Sequence, residues 1–476
     1  MKEAELVIVG AGPGGLAAAI EAAKLGVKGI LLDENINMGG QIHHQLEKGF
    51  RVTNKELLGR DHHTGQKLLS KVIALSDKVE CLNDALVWGL FDDGDVAFRH
   101  SGTSSSLKYK RLIVAVGAYD RPVPFPGWTL PGVFTAGGAQ RLVKTQGILP
   151  GERILLAGTG PLQLVLANQI ISSGGKIEAI LEAGNITNWL QFIAGIWNQW
   201  KILLDGSHYL SHLFKAGIPL LRNHLILEAH GNKQVEEALI ADVDKDWRPK
   251  PETKRTIQVD AICIGYGLVP SNELTLLAGC EHRYEPLLGG WVPLRGETME
   301  TSLEHVYAVG DGSGVAGSQV AVEEGRIAGI CVAHSLGYIS EQEFKRRVQP
   351  FQRRLKKLTR MRRVLDEISR PRVGLFELAQ DDTIICRCEE VTLGEIREAI
   401  NRGATDVNEV KSMTRAGMGR CQGRMCGPAL IEIINRQQAS HTTQPSYFRR
   451  RPPVKPVPLV EIAKHSKLEG RFKKIV

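Results

Sequence analysis

The sequence predicts an α/β fold with two Rossmann-like dinucleotide-binding domains, the second inserted in the first, and a small helical domain near the C-terminus. Three observations support this prediction. A glycine turn between two apolar strands lies at residues 5–35, and a second copy lies at residues 152–183. Four of the eight cysteines of the 476-residue chain fall within residues 386–426. Because repeated units of strand, glycine turn and helix indicate parallel sheets covered by helices, two such sheets are expected.

The first glycine motif, ELVIVGAGPGGLAAAIEAAKLGVKGILLDEN, has the order strand, turn, Ala-rich helix and strand that a dinucleotide-binding unit requires. In such a unit Gly10 allows the tight turn, Gly12 lets a pyrophosphate approach the backbone, and Gly15 lets the helix pack on the strand. The pyrophosphate would lie at the positive N-terminal end of the helix. Asp33 or Glu34, after the second strand, would hydrogen-bond a ribose hydroxyl. The predicted binding residues are Gly10, Gly12, Gly14, Gly15, Asp33 and Glu34.

A distant stretch at residues 301–329 predicts that the nucleotide is FAD. It combines an apolar strand, the pair Gly310 and Asp311, and a following helix. This order resembles the second FAD motif of the flavoproteins with two dinucleotide-binding domains, and the resemblance implies that Asp311 binds the ribityl chain. The segments MGGQ and LIVAVGAYDRP are similar to places where that family contacts FAD. They add Gly40, Gln41 and Gly117 to the predicted cofactor-binding residues.

The second glycine motif, ERILLAGTGPLQLVLANQIISSGGKIEAILEA, repeats the order strand, turn, helix and strand and carries Gly158 and Gly160. It is the expected NAD-type domain, and Glu182 follows its second strand. The third glycine position holds Gln163, whose side chain would push the helix off the strand or alter the phosphate pocket. The sequence therefore leaves open whether this site binds NAD(P)H, binds another nucleotide or is structural.

Four cysteines follow the pattern C-x-C, 32 residues, then C-x4-C: Cys386, Cys388, Cys421 and Cys426. Cysteines one residue apart suit a shared metal site better than a disulfide, and zinc sites prefer wider spacing such as C-x2-C. With the helical run at residues 393–404 between them, the cysteines resemble the [2Fe-2S] domain of the bacterioferritin-associated ferredoxin type. The resemblance implies that these four cysteines bind a [2Fe-2S] cluster. Zinc and unligated thiols are the alternatives.

Disulfide chemistry at the flavin is not expected. The sequence after the flavin-side GG is QIHHQLEKGF, which contains no cysteine, and the second nucleotide domain contains only Cys263. Cys263 lies in a strand that is predicted to be buried, so it is expected to be a small core residue rather than a redox group.

The formal net charge of +8 is concentrated in two stretches. Residues 446–476 carry nine Lys or Arg against two Glu, and residues 343–370 combine basic residues with apolar ones at three- and four-residue steps. The second pattern predicts an amphipathic helix with a solvated basic face, interrupted near Pro350. Neither stretch carries a nucleic-acid recognition motif, so no nucleic-acid partner is expected. We also expect no secretory leader and no transmembrane segment, and hence a cytoplasmic location.

The order of these parts resembles one family along nearly the whole chain. It is the family of flavin-containing α-type subunits of opine oxidases, hydroxyproline and proline dehydrogenases, and hydrogen cyanide synthase. The segments GAYDRPVPFPGWTLPGVFTAGGAQ and RPPVKPVPL are similar to segments typical of that family. The resemblance implies an FAD- and [2Fe-2S]-dependent electron-transfer subunit of an amino-acid, imino-acid or opine dehydrogenase. Its partner in a hetero-oligomer would be a substrate-oxidising flavoprotein subunit, whose electrons pass through this chain to an acceptor.

Two other functions are compatible with the sequence. One is a self-sufficient NAD(P)H-dependent flavin reductase that feeds a ferredoxin-like acceptor, and the other is a non-catalytic flavoprotein scaffold with structural zinc. No catalytic acid or base is assigned, because packing or surface exposure also explains His43 and His44 beside the flavin-side GGQ. The aromatic segment at residues 188–217 could be a subunit-facing helical pair or could pack internally.

The predicted domain boundaries follow from the positions of these motifs. They are residues 1–120 for the first part of the FAD domain, 121–265 for the inserted NAD(P)-type domain, 266–375 for the second part of the FAD domain with basic amphipathic helices, 380–440 for the [2Fe-2S] domain and 441–476 for a basic, Pro-containing tail.

Overall fold

The chain is described by a computed structural model that covers residues 2–44, 59–91, 94–184, 209–437 and 446–463. It divides into two compact units, each assembled from separate stretches of chain. The first unit comprises residues 1–118, 270–359 and 450–476, and the second comprises residues 119–269 and 360–449. Of the aromatic segment at residues 188–217, the part before residue 209 lies outside the described residues.

The α-helices of the described residues are α1 (Pro13–Lys24), α2 (Gly59–Ile73), α3 (Ala136–Arg141), α4 (Pro161–Ser172), α5 (Glu273–Leu277), α6 (Ser318–Ser335), α7 (Glu341–Ser369), α8 (Leu393–Asn401), α9 (Val407–Thr414), α10 (Gly427–Gln437) and α11 (Leu459–Ala463). The strands are β1 (Lys2–Val9), β2 (Gly29–Leu32), β3 (Val79–Leu82), β4 (Ala85–Phe91), β5 (Asp95–His100), β6 (Thr103–Val114), β7 (Ala118–Asp120), β8 (Val133–Thr135), β9 (Ile154–Gly158), β10 (Ile177–Glu182), β11 (Leu220–Arg222), β12 (His224–His230), β13 (Glu237–Asp242), β14 (Arg255–Gln258), β15 (Ala261–Gly265), β16 (Leu268–Pro270), β17 (His282–Glu285), β18 (Gly290–Pro293), β19 (Val306–Ala308), β20 (Ile384–Cys386) and β21 (Val391–Thr392).

A seven-stranded sheet forms the centre of the first unit, in the order β3-β2-β1-β6-β5-β4, with β19 also pairing with β6. The strands around β1 pair in parallel, whereas β4, β5 and β6 form an antiparallel meander. Leu6, Val7 and Ile8 of β1 are each no more than 1% exposed, because both faces of the sheet are covered. The glycine turn after β1 lies at the carboxyl end of the parallel strands, where open α/β sheets bind ligands.

The second unit contains a five-stranded parallel sheet in the order β11-β10-β9-β15-β8. A separate antiparallel sheet is formed by β12, β13 and β14. Every residue of β9 and β15 is buried, as expected for central strands of a covered parallel sheet. Both predicted parallel sheets are therefore present, and the second glycine turn again follows the carboxyl end of its first strand.

The cysteine-bearing part of the second unit is small and largely helical. It begins with the hairpin of β20 and β21 and continues through α8, α9 and α10. Thr392 and Glu395 form a reciprocal capping box that fixes the start of α8. The side chain of Asp406 caps α9. Trp128 Nε1 donates a hydrogen bond to Ile384 O at 2.7 Å and so attaches the hairpin to the rest of the unit.

Helix α7 is continuous over 29 residues with Pro350 inside it, whereas the sequence predicted an interruption there. Proline removes one backbone hydrogen bond and crowds the preceding turn. Burial offsets this cost, because Val348 is only 2% exposed and Phe344 and Phe351 pack against the core cluster that includes α1. Within the described ranges, no helix is both long and apolar enough to span a membrane.

Candidate functional site

The first glycine turn is held by close backbone approaches that only glycine permits. Gly10 has φ +102°, and a Cβ there would lie 2.3 Å from Ala115 O. A Cβ at Gly15 would lie 1.8 Å from Gly10 O, so α1 packs directly on the turn. Both positions therefore need glycine for the packing of the turn, as in a dinucleotide-binding unit.

The face of the turn at Gly12 is open. Gly12 has φ −73°, and among the described residues a Cβ there would meet no atom closer than Gly40 Cα, at 3.9 Å. Gly39 N donates to Ala11 O at 2.9 Å and brings the predicted MGGQ segment against the turn. The backbone at the N-terminus of α1 is thus free to receive a phosphate, which this helix end attracts.

The two acids after β2 have different surroundings. Asp33 is 5% exposed and accepts hydrogen bonds from Ala11 N at 2.6 Å and Asn35 N at 2.8 Å. Burial raises the pKa of Asp33, although these bonds favour its charged form. Glu34 is more exposed and forms an ion pair with Lys455 of the C-terminal tail. Asp33 therefore orders the glycine turn, while Glu34 has a partner that no local sequence signal indicates.

The second FAD motif forms a turn ahead of α6. Asp311 Oδ1 accepts hydrogen bonds from Ala316 N at 2.9 Å and Gly317 N at 2.8 Å. Gly310 N donates to Glu324 Oε2 at 2.7 Å, and Glu324 is itself held by Arg295 at 2.6 Å. No sequence signal indicates this ion pair, because its two members are separated in the chain and belong to no motif.

Gly14 and Gly117 also lie in this part of the first unit. Gly14 lies where α1 contacts α6, because a Cβ on Gly325 of α6 would lie 2.0 Å from Gly14 O. A Cβ on Gly312 would lie 3.1 Å from Gly117 O, so Gly117 adjoins the second FAD motif. The structure thus brings the predicted flavin-site segments together, with Gly14 serving the packing of α1 on α6.

The residues that follow the glycine pair of the MGGQ segment form no acid–base pair among the described contacts. His43 is 1% exposed, and a Cβ on Gly39 would lie 2.5 Å from its carbonyl oxygen. Gln41 is exposed, and its Oε1 lies 3.3 Å from His44 Nε2. We assign no catalytic acid or base to these residues.

The second glycine turn repeats the arrangement of the first. Glu182 accepts hydrogen bonds from Gly160 N at 3.1 Å and Gly184 N at 2.8 Å, and burial raises its pKa. Gln163 is 1% exposed, and its Nε2 donates to Leu181 O at 3.4 Å. The amide side chain therefore fills the space between α4 and the sheet that a third glycine would leave empty.

The four predicted metal ligands form two neighbouring pairs. Cys386 is hydrogen-bonded to Cys426, and Cys388 to Cys421. The bond with Cys426 lowers the pKa of Cys386 to about 6, and Gly417 N donates to the Cys386 sulfur at 3.4 Å. The thiolate favoured in this way is the form that binds metals. Two pairs of thiols suit a two-iron cluster, in which each iron takes two cysteines.

Phe448 covers the cysteine loops. It is 4% exposed, and Cβ atoms added at Gly417, Gly423 or Gly427 would come within 2.8, 2.6 and 3.2 Å of its ring. No sequence signal indicates this role of Phe448, because it follows the last cysteine by more than twenty residues and shares no pattern with it. In the described part of the chain, no three His, Cys, Asp or Glu side chains lie together in a group that could hold a metal ion.

Both sites fit the groups that their motifs imply. The open backbone at Gly12 leaves room for a diphosphate, and the paired cysteines supply four thiol ligands. These features define a flavoprotein with two dinucleotide-binding folds and an iron–sulfur domain. Residues 4–325 match the pyridine nucleotide-disulphide oxidoreductase family, and residues 384–436 match the BFD-like [2Fe-2S] binding domain.

Sequence similarity to known proteins extends along nearly the whole chain. Hydrogen cyanide synthase subunit HcnB of Pseudomonas aeruginosa is 33% identical over 95% of this chain and 97% of its own length. An opine oxidase subunit of Rhizobium meliloti is 32% identical over 96% of this chain and 87% of its own length. The chain therefore belongs to the pyridine nucleotide-disulphide oxidoreductase family, in the group that includes these two proteins.

A solved structure supports the fold. The crystal structure of L-proline dehydrogenase from P. horikoshii superposes on this chain with a TM-score of 0.70 at 20% identity. The alignment covers 97% of this chain and 80% of the L-proline dehydrogenase chain. The predicted family resemblance, the fold class, the FAD and [2Fe-2S] cofactors and the class of FAD-dependent oxidoreductase are confirmed.

Proposed function

We propose that the chain is the electron-transfer subunit of an amino-acid, imino-acid or opine dehydrogenase complex. It would pass to an acceptor the electrons that it receives from a substrate-oxidising flavoprotein subunit. The observation that carries the proposal is the combination, in one chain, of an open flavin phosphate site at Gly12 with two pairs of cysteines. The relatives named as subunits of opine oxidase and hydrogen cyanide synthase support a hetero-oligomer.

The protein's own groups would bind and orient the cofactors rather than carry out acid–base steps. When bound, FAD accepts two electrons and the [2Fe-2S] cluster passes them on singly. The N-terminus of α1 would hold the diphosphate, and Asp33 would keep the glycine turn in shape through Ala11 N. The proposed flavin-site residues are Gly10, Gly12, Gly14, Gly15, Asp33, Glu34, Gly40, Gln41, Gly117, Gly310 and Asp311.

The four cysteines would ligate the cluster. The Gly417 N–H bond to Cys386 would stabilise negative charge on that sulfur, a contact that raises the reduction potential of iron–sulfur centres. Phe448 would keep water from the loops, because its buried ring lies over three of their glycines. These residues would support electron transfer and would not supply a proton donor.

The source of electrons decides between this function and a self-sufficient NAD(P)H-dependent reductase. The visible spectrum of the anaerobic holoprotein is recorded during additions of NADH and NADPH, and then with the co-expressed partner and a panel of amino acids, imino acids and opines. We expect bleaching only when the partner and a substrate are both present. Bleaching of the isolated chain by NADH at turnover-relevant rates would refute the proposal.

A cysteine variant tests the electron path. Cys388→Ala should reduce the iron content from about two atoms per chain to near zero, because one iron loses half of its protein ligands. FAD content and substrate-dependent flavin bleaching should persist, while transfer to a one-electron dye falls at least about tenfold. Cys81→Ala, which changes a cysteine of the first unit, is the matched control. Equal dye reduction by the two variants would contradict the role of the cluster.

A further inference from the structure

The two glycine turns differ at the one position where a phosphate must approach the backbone. In the first turn that position is Gly12, where an added Cβ would meet only Gly40 Cα at 3.9 Å. In the second turn it is Gly160, where an added Cβ would lie 2.8 Å from Ser369 Oγ and 3.3 Å from Ser369 Cβ. The space kept open in the first turn is filled by a side chain in the second.

The residue before Ser369 contacts the segment that follows β10. A Cβ added at Gly184, in that segment, would lie 3.1 Å from the carbonyl oxygen of Ile368. Ile368 and Ser369 are the last two residues of α7, and they belong to the same compact unit as the second glycine turn. The C-terminal end of α7 therefore packs on both the glycine turn and the segment after β10.

The electrostatics of this contact resemble those of phosphate binding. The N-terminus of α4 carries partial positive charge, which favours an anion. The C-terminus of α7 carries partial negative charge. Because Ser369 lies at the turn that precedes α4, the two opposite partial charges are close together and stabilise this contact.

We infer that the second glycine turn is an internal docking seat for the C-terminal end of α7 and does not bind a dinucleotide. A pyrophosphate could reach Gly160 only if Ser369 moved away, and Gln163 already fills the space behind the turn. The glycine turn of the second Rossmann-like domain thus holds the last residues of α7, which belong to the same unit. Whether the end of α7 occupies this seat does not depend on whether NAD(P)H or a partner subunit reduces the flavin.

A glycine comparison tests the seat directly. Gly160 and Gly174 both have positive φ, +85° and +80°, but among the described residues nothing lies within 4 Å of an added Cβ at Gly174. Gly160→Ala therefore adds a contact with Ser369 to its backbone strain, whereas Gly174→Ala adds backbone strain alone. We expect the Tm of holoprotein carrying Gly160→Ala to be lower than that of Gly174→Ala by about 2–4 °C.

Removing the side chain on the other side of the contact should narrow this difference. Ser369→Gly removes the contact with the added methyl group but leaves the backbone strain at Gly160, where ψ is −175°, so the gap between Gly160→Ala and Gly174→Ala should become smaller when both carry Ser369→Gly. Equal Tm values for the two single alanine variants, or a gap that Ser369→Gly leaves unchanged, would overturn the inference.

Dinucleotide binding is measured on the wild-type holoprotein, so that the result does not depend on a variant that folds. Equilibrium dialysis with NAD+, NADP+ and ADP-ribose at millimolar concentration should give no saturable binding. Saturable binding of any of the three that Gly160→Ala abolishes would overturn the docking seat. The proposed electron path from a partner subunit would survive that result if NADH still failed to bleach the flavin.

Discussion

At the scale of single residues, Gly12 separates the requirements of folding from those of cofactor binding. Its φ of −73° is accessible to any amino acid, and an added Cβ would meet no protein atom closer than 3.9 Å. Gly10 and Gly15, by contrast, are needed by the fold itself, because their missing side chains let backbone segments touch. A substitution at Gly12 should therefore affect the ligand alone.

Gly12→Ala should weaken FAD binding by at least about tenfold and leave the Tm of the apoprotein unchanged. The added methyl group occupies the space through which the diphosphate approaches, and tenfold corresponds to about 1.4 kcal/mol. The measurement is fluorescence quenching on titration of apoprotein with FAD. Gly296→Ala is the control, because its Cβ would meet only Thr298 Oγ1, at 3.8 Å. Equal FAD affinity in the two variants would show that no phosphate approaches Gly12.

At the scale of elements, the cysteine loops depend on a ring that comes from outside them. Phe448 packs on Gly417, Gly423 and Gly427, and Lys411 Nζ lies 5.4 Å from the ring centroid. The loops carry many glycines and few apolar side chains of their own, so this ring supplies much of their local packing.

Phe448→Ala should destabilise the cysteine-bearing part by about 3–5 kcal/mol, because it leaves a cavity over the loops. We expect the cluster absorbance to decay several-fold faster in the presence of a chelator, with the flavin spectrum unchanged. Phe448→Leu, which keeps most of the apolar volume, should lie near the wild type. Indistinguishable decay in the alanine variant would contradict the packing role of the ring.

What could be predicted from the sequence at this scale was local. The glycine spacing and apolar runs predicted β1, α1, β9 and α4, because each pattern fits within about thirty residues. The C-x-C and C-x4-C spacing predicted the cysteine site for the same reason. The continuity of α7 through Pro350 was mispredicted, since the buried apolar face that stabilises it becomes visible only in the packed core.

The contacts of Ser369, Lys455 and Phe448 could not be predicted. Each of these residues meets a partner far away in the chain, at Gly160, Glu34 or the cysteine loops. No periodic pattern or motif links such distant positions, so only the folded chain brings them together.

At the scale of the whole molecule, the described residues 450–463 of the Pro-containing tail are part of the first unit. Val454 N donates to Trp88 O at 2.9 Å, and Val454 is 4% exposed in the core of that unit. Glu461 is 8% exposed and accepts a hydrogen bond from Arg99 Nε at 2.7 Å. These residues of the tail are thus attached to β4 and β5.

Glu461→Gln should loosen the tail. Loss of a charge-assisted hydrogen bond at a largely buried carboxylate costs about 1.5–3 kcal/mol. We expect trypsin to cleave within residues 449–455 several-fold faster in this variant than in the wild type. Cleavage is monitored by gel electrophoresis and mass spectrometry. Glu3→Gln, at an exposed position, is the control. Unchanged cleavage kinetics would mean that the Arg99 contact does not hold the tail.

The division of the chain has a consequence for its biosynthesis. The first unit needs residues 1–118, 270–359 and 450–476, and the second needs residues 119–269 and 360–449. The second unit cannot form until the ribosome has made residues 360–449, and the first also needs residues after 450, so at about 5–20 residues per second each unit waits tens of seconds for its later segments. The apolar strand β1 must wait for α6 to be synthesised, so the nascent protein is expected to depend on chaperones during this interval.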